Sequence, residues 1–304
     1  MIELNIQNAS DKLEIVVLGI PDCFGGIPKL NNCYDPKSKQ HVIDGNFPLQ
    51  VDVTKEMNQF LSVLRKYNVK VLRPENIQKL NQIFTRDICF VIENKFIIPN
   101  IIEERRDEIK AMSSIISQIP IENIVRMNQK ARVEGGDVVV WNDFLFVGYS
   151  KKEDFKKYKV SRTNKEGVRF LKKQFPNKKV KAFELKKSDN NPRENALHLD
   201  CCFQPIGLKN AILYKSGFKN NEDVDFLIDL FGRENIIFIT QEEMYNMNSN
   251  IFSISEKILV SEKGFVRLNI ELNNRGFIVE EIQYSEIAKM EGLLRCSTMP
   301  LKRK

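Results

Sequence analysis

The sequence has 304 residues, 42% of them hydrophobic and 20 of them phenylalanine, enough to bury a sizeable core, and it is read here as one domain spanning 1–304. Its 47 Lys and Arg exceed its 40 Asp and Glu by a formal +7, but the densest basic cluster, Lys151 to Lys159 with Lys165, Lys172 and Lys173, is interleaved with Glu153, Asp154 and Glu166, which reads as a solvated helical face and not a nucleic-acid patch. No stretch approaches ~18 apolar residues, and the N-terminus lacks a charged start followed by an apolar run, so neither a membrane span nor a signal peptide is expected and the compartment is read as cytoplasmic.

Along the chain, Leu13 to Gly19 reads as a first strand, followed by helical periodicity over Val53 to Tyr67 and a short strand at Val69 to Arg73. A hairpin follows, with Ile88 to Glu93 and Lys95 to Pro99 on either side of Asn94. Helical spacing returns over Ile102 to Ile119. The second hairpin, Val138 to Trp141 and Phe144 to Tyr149, turns at Asn142-Asp143. Then come a helix over Asn164 to Phe175, a strand at Val180 to Leu185, and a hairpin of Cys202 to Ile206 with Ala211 to Tyr214. A helix over Asn221 to Phe231 and a strand at Ile236 to Thr240 lead to the last hairpin, Ile251 to Ser255 with Lys257 to Val260. The closing strand, Leu293 to Met299, is expected to pair with the first.

Polar markers punctuate this order. Asp87, Glu134, His198, Asn248 and Cys296 are separated by 47, 64, 50 and 48 residues. A period of roughly 50 points to modules around an axis, because neighbouring units must bury each other's faces. Motifs at equivalent places of a closed ring converge on its centre.

Six cysteines, at 23, 33, 89, 201, 202 and 296, show no metal-ligand spacing and read as reduced thiols, so no metal is assigned. Cys89, Cys201 and Cys202 lie in or beside apolar runs and read as core. Cys296 follows Arg295, a cation expected to lower its pKa and supply thiolate. Of two histidines, His41 has no chemical company. His198 lies in His198-Leu199-Asp200, whose alternation on a strand would put ring and carboxylate on one face. In Glu134-Gly135-Gly136-Asp137 the glycines admit positive φ and close approach, which would aim both carboxylates inward. Phe84-Thr85-Arg86-Asp87 precedes the first hairpin. The loop Pro21 to Pro28 reads as an ordinary turn-rich connection.

Taken in order, Phe84-Thr85-Arg86-Asp87, Glu134-Gly135-Gly136-Asp137, His198-Leu199-Asp200 and Arg295-Cys296-Ser297-Thr298-Met299-Pro300 resemble the guanidine-modifying (pentein) superfamily of arginine deiminases, dimethylarginine dimethylaminohydrolases and glycine amidinotransferases. The first, second and last motifs resemble arginine deiminase most. The resemblance implies a fivefold pseudo-symmetric α/β propeller of ββαβ-type modules with the site on its axis. It implies Cys296 as nucleophile, His198 as general acid/base, Glu134 beside it, and Asp87 and Asp200 on the substrate guanidinium. Arg162, and Arg295 as a second cation, match arginines that take the substrate carboxylate, and Asp137 and Arg86 complete the substrate-binding set. Extra residues within Lys151 to Val160 set Arg162 further from the second hairpin than in arginine deiminases. The chain also lacks their helical insertion, and its length is nearer the other two branches. The implied partner is a small guanidino compound, with no cofactor and a homo-oligomer left open.

The residues fit that chemistry by themselves. A guanidinium is planar, charged and forked, so carboxylates are its natural partners. A thiolate attacking its central carbon gives a covalent amidino-thioether, and a histidine protonates the departing nitrogen. Water as second nucleophile makes the enzyme a hydrolase giving citrulline; an acceptor amine makes it an amidinotransferase.

Overall fold

The computed structural model describes residues 1–304, and fifteen short strands give it its frame. In chain order they are β1 (Leu13–Leu18), β2 (Lys70–Leu72), β3 (Phe90–Ile92), β4 (Lys95–Ile98) and β5 (Ile124–Arg126). Next come β6 (Val138–Trp141), β7 (Phe144–Tyr149), β8 (Lys179–Glu184), β9 (Phe203–Ile206) and β10 (Asn210–Leu213). The last five are β11 (Ile236–Phe238), β12 (Phe252–Ser253), β13 (Ile258–Glu262), β14 (Ile278–Ile282) and β15 (Thr298–Arg303).

They form five three-stranded sheets, ordered β15-β1-β2, β3-β4-β5, β6-β7-β8, β9-β10-β11 and β12-β13-β14. In each, the first strand is antiparallel to the middle one and the third is parallel to it. An antiparallel partner needs only a tight turn, whereas a parallel one needs a crossover. Helical segments fill the crossovers: Gln50–Lys66 before β2, Glu103–Met112 with Ser113–Ile116 before β5, Lys165–Gln174 before β8, Asn221–Phe231 before β11 and Val266–Asn274 before β14. The result is a mixed α/β fold of five modules that repeat one wiring. The sheet β15-β1-β2 joins the two ends of the chain, with Leu18 opposite Thr298 and Leu13 opposite Arg303.

The hairpins and most helices follow the sequence pattern. Asn142 adopts the left-handed conformation that its turn asks for (φ 52). Asn164 caps its helix, its side chain accepting from the Gly167 N–H. Three expectations are corrected. The stretch 102–119 is mainly the 3-10 segment Glu103–Met112, where three residues per turn bring Arg105 over Glu108 and pair them inside the protein. The final strand begins at Thr298, so Cys296 stands just before a strand instead of within one. Residues 199–201 form a 3-10 turn, so His198 and Asp200 are not alternate residues of a strand.

Two apolar clusters carry the packing. The larger has 56 buried residues and includes a run of rings in which Phe146 meets Phe203 at 5.4 Å, with partly buried Phe144 packed on Phe146 at 5.3 Å. The smaller, of 27, gathers around β3, β4, β6 and the N-terminal Ile2, Leu4 and Ile6. Among the five sheets lies a cavity of about 20 Å³, lined from the first strand of every sheet by residues that include Phe90, Val138, Gln204, Ser253 and Pro300.

Candidate active site

The turn that enters the first strand of each sheet carries a polar side chain. Asp87 lies in the single helical turn Thr85–Ile88 before β3, and Glu134 precedes, and Asp137 ends, the 3-10 turn Gly135–Asp137 before β6. His198 and Asp200 lie in the turn before β9, and Asn250 and Cys296 each stand two residues ahead of β12 and β15. Main-chain bonds tie these turns together. The Arg86 N–H donates to the Cys296 carbonyl at 3.1 Å, and the Thr85 hydroxyl to the Ser297 carbonyl at 3.2 Å.

Two glycines make this convergence possible by their size. A Cβ on Gly135 would fall 2.0 Å from the Arg86 carbonyl oxygen, and one on Gly136 would fall 2.7 Å from His198 Nδ1 and 2.9 Å from Asp87 Oδ1. Neither has a positive φ, so space, and not backbone handedness, is what the two positions require.

His198 is buried among carboxylates. Its Nε2 is 2.9 Å from Glu134 Oε2, and its Nδ1 is 3.7 Å from Asp87 Oδ1. Burial alone would push the imidazole down, but Asp87, Glu134 and Asp137 outweigh it and hold the ring above its ordinary value. Glu134 is fully buried, yet Arg162 and His198 hold it well below the usual carboxylate range, against the upward push of burial. Arg162 donates to Glu134 Oε2 at 3.0 Å and to the Tyr34 carbonyl at 2.8 Å.

Cys296 is buried, its sulfur receiving the Asn250 side-chain N–H at 3.2 Å and lying 3.9 Å from Asp200 Oδ2. Burial and the carboxylates of Asp200 and Asp87 push the thiol well above its ordinary value, and Arg295 opposes them only weakly. The expectation that Arg295 activates the thiol is therefore corrected: its guanidinium binds Asp200 and the Val138 carbonyl instead. The other acceptor, Asp87, takes Arg105 Nη1 on Oδ2 at 2.7 Å, while its Oδ1 is buried without a partner.

The structure thus brings Cys296, His198, Glu134, Asp87, Asp200, Arg162 and Arg295 together. Three expected substrate contacts are engaged elsewhere. Asp137 Oδ1 accepts the Leu199 N–H at 3.0 Å, which fixes the turn bearing His198 and Asp200, Arg295 is held by Asp200 and the Val138 carbonyl, and Arg86 and Arg295 both line the inter-sheet cavity. Asn248 lies on a separate cleft with Lys37, His41 and Tyr245, and the residue that meets the thiol is Asn250. Sequence reading missed Arg105 because Glu103 to Glu108 looks like a solvated charge run; the signal is that only Arg105 and Glu108, three apart, are buried there. Alignment to the strand start would have found Asn250, which precedes β12 as Cys296 precedes β15.

Asp87, Glu134 and His198 place ligand atoms within 4.8 Å of one another, as a metal site would. Both carboxylates already carry an arginine, and a divalent ion would have to share them with those cations.

The model of the family described as N,N dimethylarginine dimethylhydrolase, eukaryotic, matches residues 44–303. The uncharacterized protein YkgA of Bacillus subtilis is 29% identical over 268 residues, which cover 88% of this chain and 86% of that one. The N(G),N(G)-dimethylarginine dimethylaminohydrolase of Pseudomonas aeruginosa is 22% identical over 249 residues, covering 81% and 87%. Among solved structures, SxtG, an amidinotransferase from Microseira wollei in the saxitoxin biosynthetic pathway, matches with a TM-score of 0.78 at 15% identity, over 99% of this chain and 97% of that one. At that identity the likeness is one of fold.

Proposed function

We infer the reaction from the premise that this chain belongs to the N,N dimethylarginine dimethylhydrolase family, within the guanidine-modifying superfamily, and is an enzyme of that kind. We propose a cysteine-dependent hydrolase that converts arginine, or an N-methylated arginine, to citrulline with release of ammonia or an amine. The observation that carries this reading is Asp87 Oδ1, a buried carboxylate oxygen without a partner, held beside His198 and the Cys296 thiol. A buried unpaired acceptor is costly, and a guanidinium N–H satisfies it. Arg105 and Arg295 anchor Asp87 and Asp200 by their Oδ2 atoms, which orients each carboxylate without occupying Asp87 Oδ1.

In this reading the neutral thiol is the resting form, because burial and two carboxylates disfavour a third negative charge. The substrate cation offsets those carboxylates, and the thiol releases its proton to solvent water as substrate settles. The Cys296 sulfur then bonds to the guanidinium carbon. The bond from that carbon to a terminal nitrogen breaks, and His198, kept protonated by its carboxylate neighbours, gives that nitrogen its proton. Neutral His198 next takes a proton from water as the water oxygen adds to the same carbon. The carbon–sulfur bond breaks, leaving the ureido product and the free cysteine. Glu134, between His198 and Arg162, holds the ring in place throughout.

The five equally wired sheets, and a cavity lined by the first strand of each, support a fivefold α/β propeller formed by a single catalytic domain. A product assay over arginine, methylarginines, agmatine and citrulline, with Cys296→Ala as control, tests the function. Citrulline formed without added amine is the expected result. Product that appears only when an amine is added would assign amidino transfer instead.

A further inference from the structure

We propose that the cavity among the first strands of the five sheets binds one small monovalent anion, of chloride size, between Arg86 and Arg303. Three arginines line this cavity: Arg86, Arg295 and Arg303. Arg295 is balanced by Asp200, as Arg105 is by Asp87 and Arg162 by Glu134. The other two have no such partner. Arg303 spends Nη1 and Nη2 on the main-chain carbonyls of Asp11 and Ser253, and its buried Nε has no acceptor at all. The one protein acceptor of Arg86 is the Arg295 carbonyl, 3.4 Å from its Nε.

Guanidinium groups keep their charge, so half-buried Arg86 and buried Arg303 repel each other across this cavity, and Asp200 and Asp11, which offset them, lie beyond ion-pair distance. Burial, with Arg295 and Arg303 nearby, pushes Arg86 well down, and burial brings Arg303 to about 9. An anion between them supplies the missing charge and an acceptor for Arg303 Nε. The Ser253 hydroxyl, also buried and without a partner, adds a neutral donor on the same wall.

Size narrows the ligand. About 20 Å³ of free space accommodates a single water-sized particle, for which roughly 10–15 Å³ is the minimum. That matches a halide in size better than sulfate, phosphate or a carboxylate group. Of the remaining wall, Phe90, Val138, Val140 and Phe252 are apolar and favour an ion that sheds water easily, while Gln204 adds a buried amide whose Oε1 has no partner.

Crystals of the full chain grown in bromide, and of Arg86→Gln in the same medium, test this by anomalous scattering. Thermal unfolding in potassium chloride, bromide and gluconate at equal ionic strength provides a second measurement. A bromide peak between Arg86 and Arg303 that disappears in Arg86→Gln is the expected result. With it, the wild-type midpoint should rise with halide concentration above its gluconate value. No peak in the wild-type cavity, or a peak unchanged in Arg86→Gln, would overturn the proposal. If Arg86→Gln does not fold, the wild type decides alone: a cavity without bromide, or a midpoint the same in halide and gluconate, overturns it.

Discussion

The sulfur of Cys296 is surrounded by negative charge, and that decides how it reacts. Its thiol is held above the ordinary value of 9.0, so the neutral form adds stability below about pH 9 that is lost as pH rises through the folded value. Alkylation of the free protein by iodoacetamide is therefore expected to follow a pH profile with its midpoint above 9; a midpoint below 9 would mean that a cation nearby governs the thiol after all. His198 shifts the same way for a different reason, because its charged form is the one its neighbours favour. Its contribution is complete below the ordinary 6.5 and fades as pH rises through the raised folded value, and the step that needs a protonated ring should fade with it. Asp87→Asn leaves a neutral amide where the substrate cation needs charge, and kcat/KM is expected to fall by roughly 10- to 150-fold, the equivalent of about 1.5–3 kcal/mol for a charged hydrogen bond. The residue types of this chemistry were legible in the sequence because each stands in a short motif. Their electrical state was not. Arg295 beside Cys296 in sequence suggests a thiolate, whereas in space its guanidinium is drawn to Asp200.

At the scale of elements, the turns ahead of the first strands do the positioning. Asp137 and the two glycines shape these turns: the carboxylate pins Leu199, and the glycines leave room for Arg86 and His198. Gly136→Ala puts a methyl group against the His198 ring, and a displacement near 1 Å at such a site costs about 10²-fold in rate. The expected outcome is a folded protein with kcat down by that order, checked by turnover beside circular dichroism. Hairpins were legible because their turns carry Asn142-Asp143 or Gly207 and their strands are β-branched or aromatic. The strands β5 and β14 were missed because each is a lone third strand with part-exposed residues, so no alternation marks it. The 3-10 segment Glu103–Met112 looked helical because a spacing of three is common to both geometries.

For the molecule as a whole, the sheet that joins both chain ends matters most. Strand β15 gives β1 its antiparallel partner and follows directly on Cys296, so the end of the chain holds the nucleophile in place. Deleting residues 298–304 is expected to abolish cooperative unfolding as well as activity, read by a thermal melt. The pairing was visible in the sequence as an apolar strand at each end, although the last strand starts five residues later than its apolar run implies. The period of polar markers was visible too, with its fourth member displaced from Asn250 to Asn248. The most direct test is the mass of the intact protein quenched during turnover of arginine or a methylated arginine. Wild type is expected to carry the substrate less its terminal amine on the peptide containing Cys296, and Cys296→Ala is expected to carry nothing. A bare amidino group on that cysteine would contradict hydrolysis at the terminal nitrogen, and turnover by Cys296→Ala at the wild-type rate would contradict the covalent mechanism itself.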